Sequence, residues 1–198
     1  MKNIPKIILS LVLVAALVFS FTSCAKKVEL TEENVIETVA VVEDALKKFD
    51  SKKLKKYVNS TTLSQIMSYA DKHKQFKALG KAIFSGLSIT VDDVDMENKT
   101  VTVTVKNKDL SSVAYDFAQN LSSHYTLFQL YNKLNDEDFL DFYLNQLVES
   151  MDAVSDEVEA TVTLNVKQGD RNLELTFDEE SEDAVSGGAL TAIKSIYN

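Results

Sequence analysis

Two runs of strict two-residue alternation constrain this chain more than any other feature. Between Thr100 and Val105, threonine and valine change places at every step. Val101, Val103 and Val105 therefore fall on one side of an extended strand, and Thr100, Thr102 and Thr104 on the other. Val158, Ala160, Val162, Leu164 and Val166 alternate in the same way with Glu159, Thr161, Thr163 and Asn165. This period requires a sheet with one buried and one wet face, because a one-residue slip turns every valine to solvent. A partner strand over Leu87 to Val94 precedes the first run across a turn at Asp95 to Lys99. The second run is followed by Gln168, Gly169 and Asp170 and then by Leu173, Leu175 and Phe177. Two β-hairpins are predicted.

The remaining segments carry the helical period. Thr31 is a helix-capping residue, Glu32 and Glu33 suit the positive end of a helix dipole, and Lys47 and Lys48 suit the negative end. Val35, Val39, Val42, Leu46 and Phe49 form one apolar stripe between them. Asp50 or Ser51 opens a lysine-rich turn with Leu54, Tyr57 and Val58 inward. Ser60, Thr61 and Thr62 cap a third helix through Leu63, Ile66, Met67 and Ala70, extending to Phe76, Leu79 and Ile83. Asp109 to Tyr131 reads as one long helix, Asn135 caps another that buries Phe139, Phe142, Tyr143 and Leu147, and residues 181 to 197 form a last helix interrupted at Gly187 and Gly188. Helices, hairpin, helices, hairpin and helix, in that order, predict an α+β fold with an antiparallel sheet of two hairpins and helices packed on one face. A single domain is expected over 31–198.

Ahead of that domain stand Lys2 and Lys6, an apolar run from Ile7 to Phe21 broken only by Ser10 and Ser20, and then Thr22, Ser23 and Cys24. The run is short for a bilayer span, which takes about 20 apolar residues, and it has the order of an exported leader. Phe21 to Cys24 resembles the cleavage box of bacterial lipoprotein signal peptides. The resemblance implies a signal peptide over 1–23, an acylated Cys24, a lipidated tether over 24–30, and an extracytoplasmic protein held to the cell membrane. Cys24 is the sole cysteine of 198 residues. Once acylated, it leaves no thiol for disulfide or metal chemistry.

The net charge of −9 becomes −11 without Lys2 and Lys6, and Arg171 is the one arginine, which argues against nucleic-acid partners. The charge is unevenly spread. From Lys47 to Lys81 ten lysines face two aspartates, a net of +8, whereas Asn135 to Asp183 has sixteen acids against Lys167 and Arg171, a net of −14. Anionic headgroups attract nearby lysines by about 1 kcal/mol each, so Lys26, Lys27, Lys52, Lys53, Lys55 and Lys56 are candidate membrane-surface contacts.

Asp44 to Asp50, Lys52 to Tyr57, the closing hairpin with Phe177 and Asp178, and Ala184 to Leu190 resemble the small Firmicute lipoproteins whose domain is similar to the nuclear-transport-factor-2-like, cystatin-like roll. The resemblance implies a cystatin-like roll, a fold that often holds a ligand cone. Tyr115, Phe117, Tyr125, Phe128, Tyr131 and Phe142 are the candidate lining of such a pocket, although their helical spacing also suits core packing.

His73 and His124 each stand alone on a predicted helix, without the hydroxyl and orienting acid of a nucleophile triad. Asp92, Asp93, Asp95, Glu97 and Asn98 crowd a turn. Counted as a calcium loop from Asp93, they put Asn98 at the glycine position and Thr104 at the bidentate glutamate position. Asp178, Glu179, Glu180, Glu182 and Asp183 read as a strand exit and a first helical turn. No cofactor or metal is expected. The expected function is a non-catalytic binding or accessory role at the cell envelope, toward an envelope protein or a small ligand, with the threonine face of the sheet as a contact surface. The competing expectation is a small-molecule binder or enzyme with an aromatic-lined apolar pocket, in which Tyr115, Asp116 or His124 are polar members.

Overall fold

The computed structural model describes residues 27–197; the predicted leader, Cys24, Lys26 and Asn198 lie outside the described residues. Nine helices and one five-stranded sheet make up the α+β architecture of these residues. Helix α1 spans Glu32–Lys48, α2 Ser51–Tyr57, α3 Thr61–Ala70 and α4 Lys74–Ile83. The next three are α5 Ser111–His124, α6 Leu127–Lys133 and α7 Glu137–Asp152, and the chain closes with α8 Glu179–Val185 and α9 Ala189–Tyr197. The strands are β1 Val58–Asn59, β2 Ser88–Asp95, β3 Thr100–Lys108, β4 Glu157–Gln168 and β5 Leu173–Thr176, in the sheet order β1-β5-β4-β3-β2.

Both hairpins form, and β3 joins β4 antiparallel with Val103 opposite Val162 and Thr102 opposite Thr163. The sheet is nevertheless mixed, not purely antiparallel. Strand β1 lies parallel to β5, with Val58 opposite Leu175 and Asn59 opposite Thr176. A two-residue strand has no period to read, and Val58 directly follows a helix whose stripe it continues. The opposite edge, β2, carries a bulge between Val91 and Asp93.

Local capping explains where the helices differ from expectation. The extension of the third helix to Ile83 breaks at Asp71 to His73, and a separate α4 begins. The long helix over Asp109 to Tyr131 divides at Tyr125, which is extended. Thr126 and Gln129 exchange hydrogen bonds in a capping box that starts α6. Asp136, not Asn135, caps α7. Thr31, Asp50 and Ser60 cap α1, α2 and α3 by accepting backbone hydrogen bonds, and Asp178 and Ser181 close a reciprocal box on α8. The Asp178 carboxyl is held below the ordinary aspartate range by the Ser181 side chain first and then by its backbone N–H.

The α1 stripe of Val35, Val39, Val42 and Leu46 is buried against Val101, Val103, Val105, Val162, Leu164 and Leu175. A second, smaller core of Ala82, Leu110, Ala114, Leu147, Met151 and Ala189 sits among α4, α5, α7 and α9. Asn107, fully buried at the end of β3, joins the two. Its Nδ2 donates to the Ile83 carbonyl at 2.9 Å and to the Val185 carbonyl at 2.7 Å, tying β3 to the ends of α4 and α8. Asn107→Ala strands two buried carbonyls and is expected to lower unfolding free energy by about 2–4 kcal/mol. Urea titration reads this directly, and an unchanged midpoint would show that the bridge is dispensable.

Candidate functional site

The sheet has two distinct ends. At one, Gln168 Nε2 donates to the carbonyl of Val28 at 2.6 Å, so the chain just ahead of α1 runs against the β4–β5 turn. The last turn of α2 meets the same place, where Asn172 Nδ2 donates to the Lys56 carbonyl. At the other end, Asp109 N–H donates to the Asp156 carbonyl and Leu110 N–H to the Gly187 carbonyl, each at 2.8 Å. There α5 departs and α7 returns. These helices pack on α4, α9 and each other rather than on the strands. A 14-residue helix at about 1.5 Å per residue is about 21 Å long. The α5–α6–α7 excursion thus leaves and rejoins the sheet at this end, and the N-terminus of α7 lies beside the start of α4, where His73 Nδ1 meets Glu137 at 2.7 Å; Asp71, two residues earlier, pairs with Lys55 of α2 at 2.6 Å.

The tip of this excursion is aromatic and open. Phe128 is 75% exposed, Tyr131 67%, Leu127 60% and Phe142 58%, and no residue of α6 is buried. Behind them Tyr125, Phe139 and Tyr143 form a half-buried cluster. Tyr125 meets Phe139 and Tyr143 edge-on with centroids 5.5 and 6.1 Å apart, and Phe142 stands edge-on to Tyr143 at 5.0 Å. Such edge-on pairs contribute about 0.5–1.5 kcal/mol beyond burial, which holds the exposed rings on a fixed platform. The hydrogen bond with Tyr125 and burial raise the Tyr143 phenol above its ordinary range.

Of the six aromatics singled out from sequence, Tyr125 lies in this cluster, while Phe128, Tyr131 and Phe142 project from the tip. Tyr115 is exposed on α5, and Phe117 packs against the second core. Sequence patterning treated all six as inward-facing; the short, separately capped α6 turns three of them outward.

A polar cluster braces the base of the tip. Gln75, 2% exposed, donates from Nε2 to Glu137 at 2.8 Å and to Asp141 at 2.7 Å, and Glu137 also meets His73 Nδ1 at 2.7 Å. Gln75, and then His73, hold the Glu137 carboxyl below its usual range. His124 Nδ1 lies 2.8 Å from the Asn120 carbonyl and 2.9 Å from Ser123 Oγ, with no carboxylate to orient it.

An apolar cleft of about 110 Å³ opens between α3, α8 and α9, lined by Leu63, Ile66, Ile83, Phe84, Leu190 and Ile193 among others. Glu182 stands at its margin, accepting from Ser60 Oγ at 2.5 Å and from the Thr62 N–H at 3.3 Å. No sequence signal marked this cleft, because its walls come from segments more than a hundred residues apart. The threonine face is open, with Thr102 and Thr104 hydrogen-bonded across to Thr163 and Thr161 at 3.3 and 3.4 Å.

Lys27, Lys52, Lys53, Lys55 and Lys56 are all exposed; Lys53 pairs with Asp44 at 3.5 Å and Lys55 with Asp71 at 2.6 Å. Asp95 accepts the backbone N–H groups of Glu97 and Asn98, closing the β2–β3 turn. Among the described residues no cluster of three histidine, cysteine or acidic side chains is arranged to hold a metal ion, and no helix is long and apolar enough to cross a membrane. Comparison with known proteins finds no matching family model, no similar curated protein and no similar solved structure.

Proposed function

We propose that this protein is a lipid-anchored, extracytoplasmic binding or accessory protein of the bacterial cell envelope that works without catalysis, and that its aromatic tip is the binding surface. The observation that carries this reading is the group of four large apolar side chains, Leu127, Phe128, Tyr131 and Phe142, held in solvent. Exposed apolar groups gathered this closely mark interaction sites. With acylated Cys24 fixing the N-terminal end of the domain, the exposed lysines of α2 face the headgroups. The spacer from Ala25 to Leu30 reaches only about 20 Å when extended, so the domain stays close to the bilayer. The hairpin pair with α1 laid across it is the part that supports a relation to the cystatin-like roll; the parallel β1 and the α5–α7 excursion are additions to that plan.

Native electrophoresis of membranes solubilised in mild detergent tests the reading. The wild-type chain is expected in a larger complex, and Phe128→Ser with Tyr131→Ser is expected to migrate as the 22.1 kDa chain alone or its processed form. Identical migration of the two proteins would remove the tip as the binding surface. The cleft beside Glu182 favours a second reading, a binder of a small apolar molecule with a hydrogen-bond donor at its head.

A further inference from the structure

Beyond the aromatic tip, we infer that the groove between α1 and the free edge of β2 is a separate binding site, which takes a short extended segment of a partner protein, rich in lysine or arginine, as an added strand. Strand β2 is the border of the sheet and pairs with β3 alone. Among the described residues, no backbone hydrogen bond from outside that ladder reaches Ser88 to Val94, so alternate N–H and C=O groups along this edge have no protein partner. A groove of about 620 Å³ opens beside them, against α1. Buried Val39 and Ile89 form its floor, and Ile36, 44% exposed, forms the helical wall with exposed Ala40. An extended segment laid on this edge closes the open main-chain bonds, and its alternate side chains drop into the apolar groove. The bulge after Val91 leaves Ser88 to Val91 as the regular stretch, about 13 Å at ~3.3 Å per residue, which suits a short segment rather than a long ladder.

Charge names the occupant. Every ionisable group lining the groove is a carboxylate: Glu32 and Glu43 on α1, Asp92 and Asp93 on β2. The two elements together carry eight acids against Lys47 and Lys48, a net of −6, and those lysines are paired with Glu43 at 3.3 Å and Asp44 at 2.5 Å. Flanking segments do not offset this. Lys27 is matched by Glu29 ahead of α1, and Lys99 by Glu97 in the turn after β2. Exposed Lys74, Lys77 and Lys81 of α4 reduce the balance only to −3, and that helix meets α1 at Phe49, where Gly80 lies against the ring, past the last acid of the groove. The lysines of α2 belong to the opposite border, where that helix runs into β1. Lys106, opposite Ser88, is held by Glu157 at 2.6 Å. A second copy brought edge to edge sets Asp92 and Asp93 against their own kind, which is destabilising across a ladder. An anionic bilayer surface is repelled in the same way. A cationic strand satisfies the open backbone, the apolar floor and the acidic rim together.

The test uses the full chain in mild detergent, with detergent alone subtracted, and follows binding by fluorescence anisotropy. The probe is a synthetic peptide of alternating lysine and valine. A second peptide carries glutamate in place of lysine, and a third repeats the first with alternate backbone nitrogens methylated, which keeps charge and side chains but removes main-chain donors. The lysine peptide is expected to bind, to weaken as salt is raised, and to lose about tenfold or more in affinity to Ala40→Phe, which puts a ring in the groove from an exposed helical position. A similar loss is expected, separately, with Asp92→Asn and Asp93→Asn together, which keeps an acceptor for Thr104. Phe128→Ser with Tyr131→Ser is expected to bind the lysine peptide as the wild type does, and circular dichroism checks the fold of each variant. Equal binding of the glutamate peptide would overturn the cationic class, and equal binding of the methylated peptide would overturn strand addition. Indifference to both the Ala40 and the aspartate substitutions would remove the groove as the site, and loss with the Phe128 and Tyr131 substitutions alone would move binding to the aromatic tip. Light scattering covers the remaining occupant: a wild-type dimer that Ala40→Phe dissociates would seat a second copy in the groove and overturn the partner segment.

Discussion

A Cys24→Ala variant is expected to take up no labelled palmitate, and to leave the membrane entirely when residues 1–23 are exchanged for a leader cleaved without lipidation. No helix among the described residues is long and apolar enough to replace the anchor. Each buried methylene contributes about 0.8 kcal/mol, and two or more acyl chains turn marginal membrane binding into stable retention. Both cores of the described residues are built from positions after 27, so the released domain should keep its circular dichroism and urea midpoint. Detergent phase partitioning reads the outcome. Label on the variant, or no label on the wild type, would end the lipoprotein reading.

The largest loss of stability is expected from Gly187→Ala. Gly187 has φ of +62°, a left-handed conformation that side chains resist, and a Cβ built there would overlap the carbonyl oxygen of Lys108. Its own carbonyl meanwhile accepts the Leu110 N–H at 2.8 Å. The linker between α8 and α9 is thus pressed against the end of β3 on both counts, and neither backbone has room to yield. Strain and overpacking together are expected to lower unfolding free energy by about 3 kcal/mol or more. Gly188 provides the internal comparison. Its φ is +78°, but the nearest atom to an added Cβ is Ser111 Cβ at 3.3 Å, so Gly188→Ala should lose only the left-handed penalty of about 1–2 kcal/mol. Equal urea midpoints for the two variants would show that contact with Lys108 is not the limiting constraint.

Residues that obey one period over many positions were legible from sequence. Thr100 to Val105 and Val158 to Val166 became the centre of the sheet, and Val35 to Leu46 became the helix laid on it, because burial on one face leaves a repeated mark. Short segments governed by a single hydrogen bond were not legible. Val58 and Asn59 pair with β5 through a register set by distant residues. The break at Tyr125 depends on a reciprocal cap that competes with an uninterrupted helical pattern. The same break decides the candidate site. One continuous helix would have kept Phe128 and Tyr131 on a common stripe with Phe117, whereas the turn at Tyr125 and Thr126 points them to solvent. Apolar composition marked these residues as important, and only tertiary placement gave their direction.

The two borders of the sheet bear on how the molecule survives in company. One border, β1, is two residues long; the other, β2, is interrupted by the bulge at Asp92, whose carboxylate accepts a hydrogen bond from Thr104 at 2.7 Å, with exposed Asp93 beside it. An uninterrupted border of unpaired donors and acceptors is a template on which a neighbour can add its own strand. Here one template is too brief to copy and the other is bent and negatively charged. Copies crowded side by side on a surface can therefore collide edge to edge and part again, with no continuous ladder from which a fibril could grow.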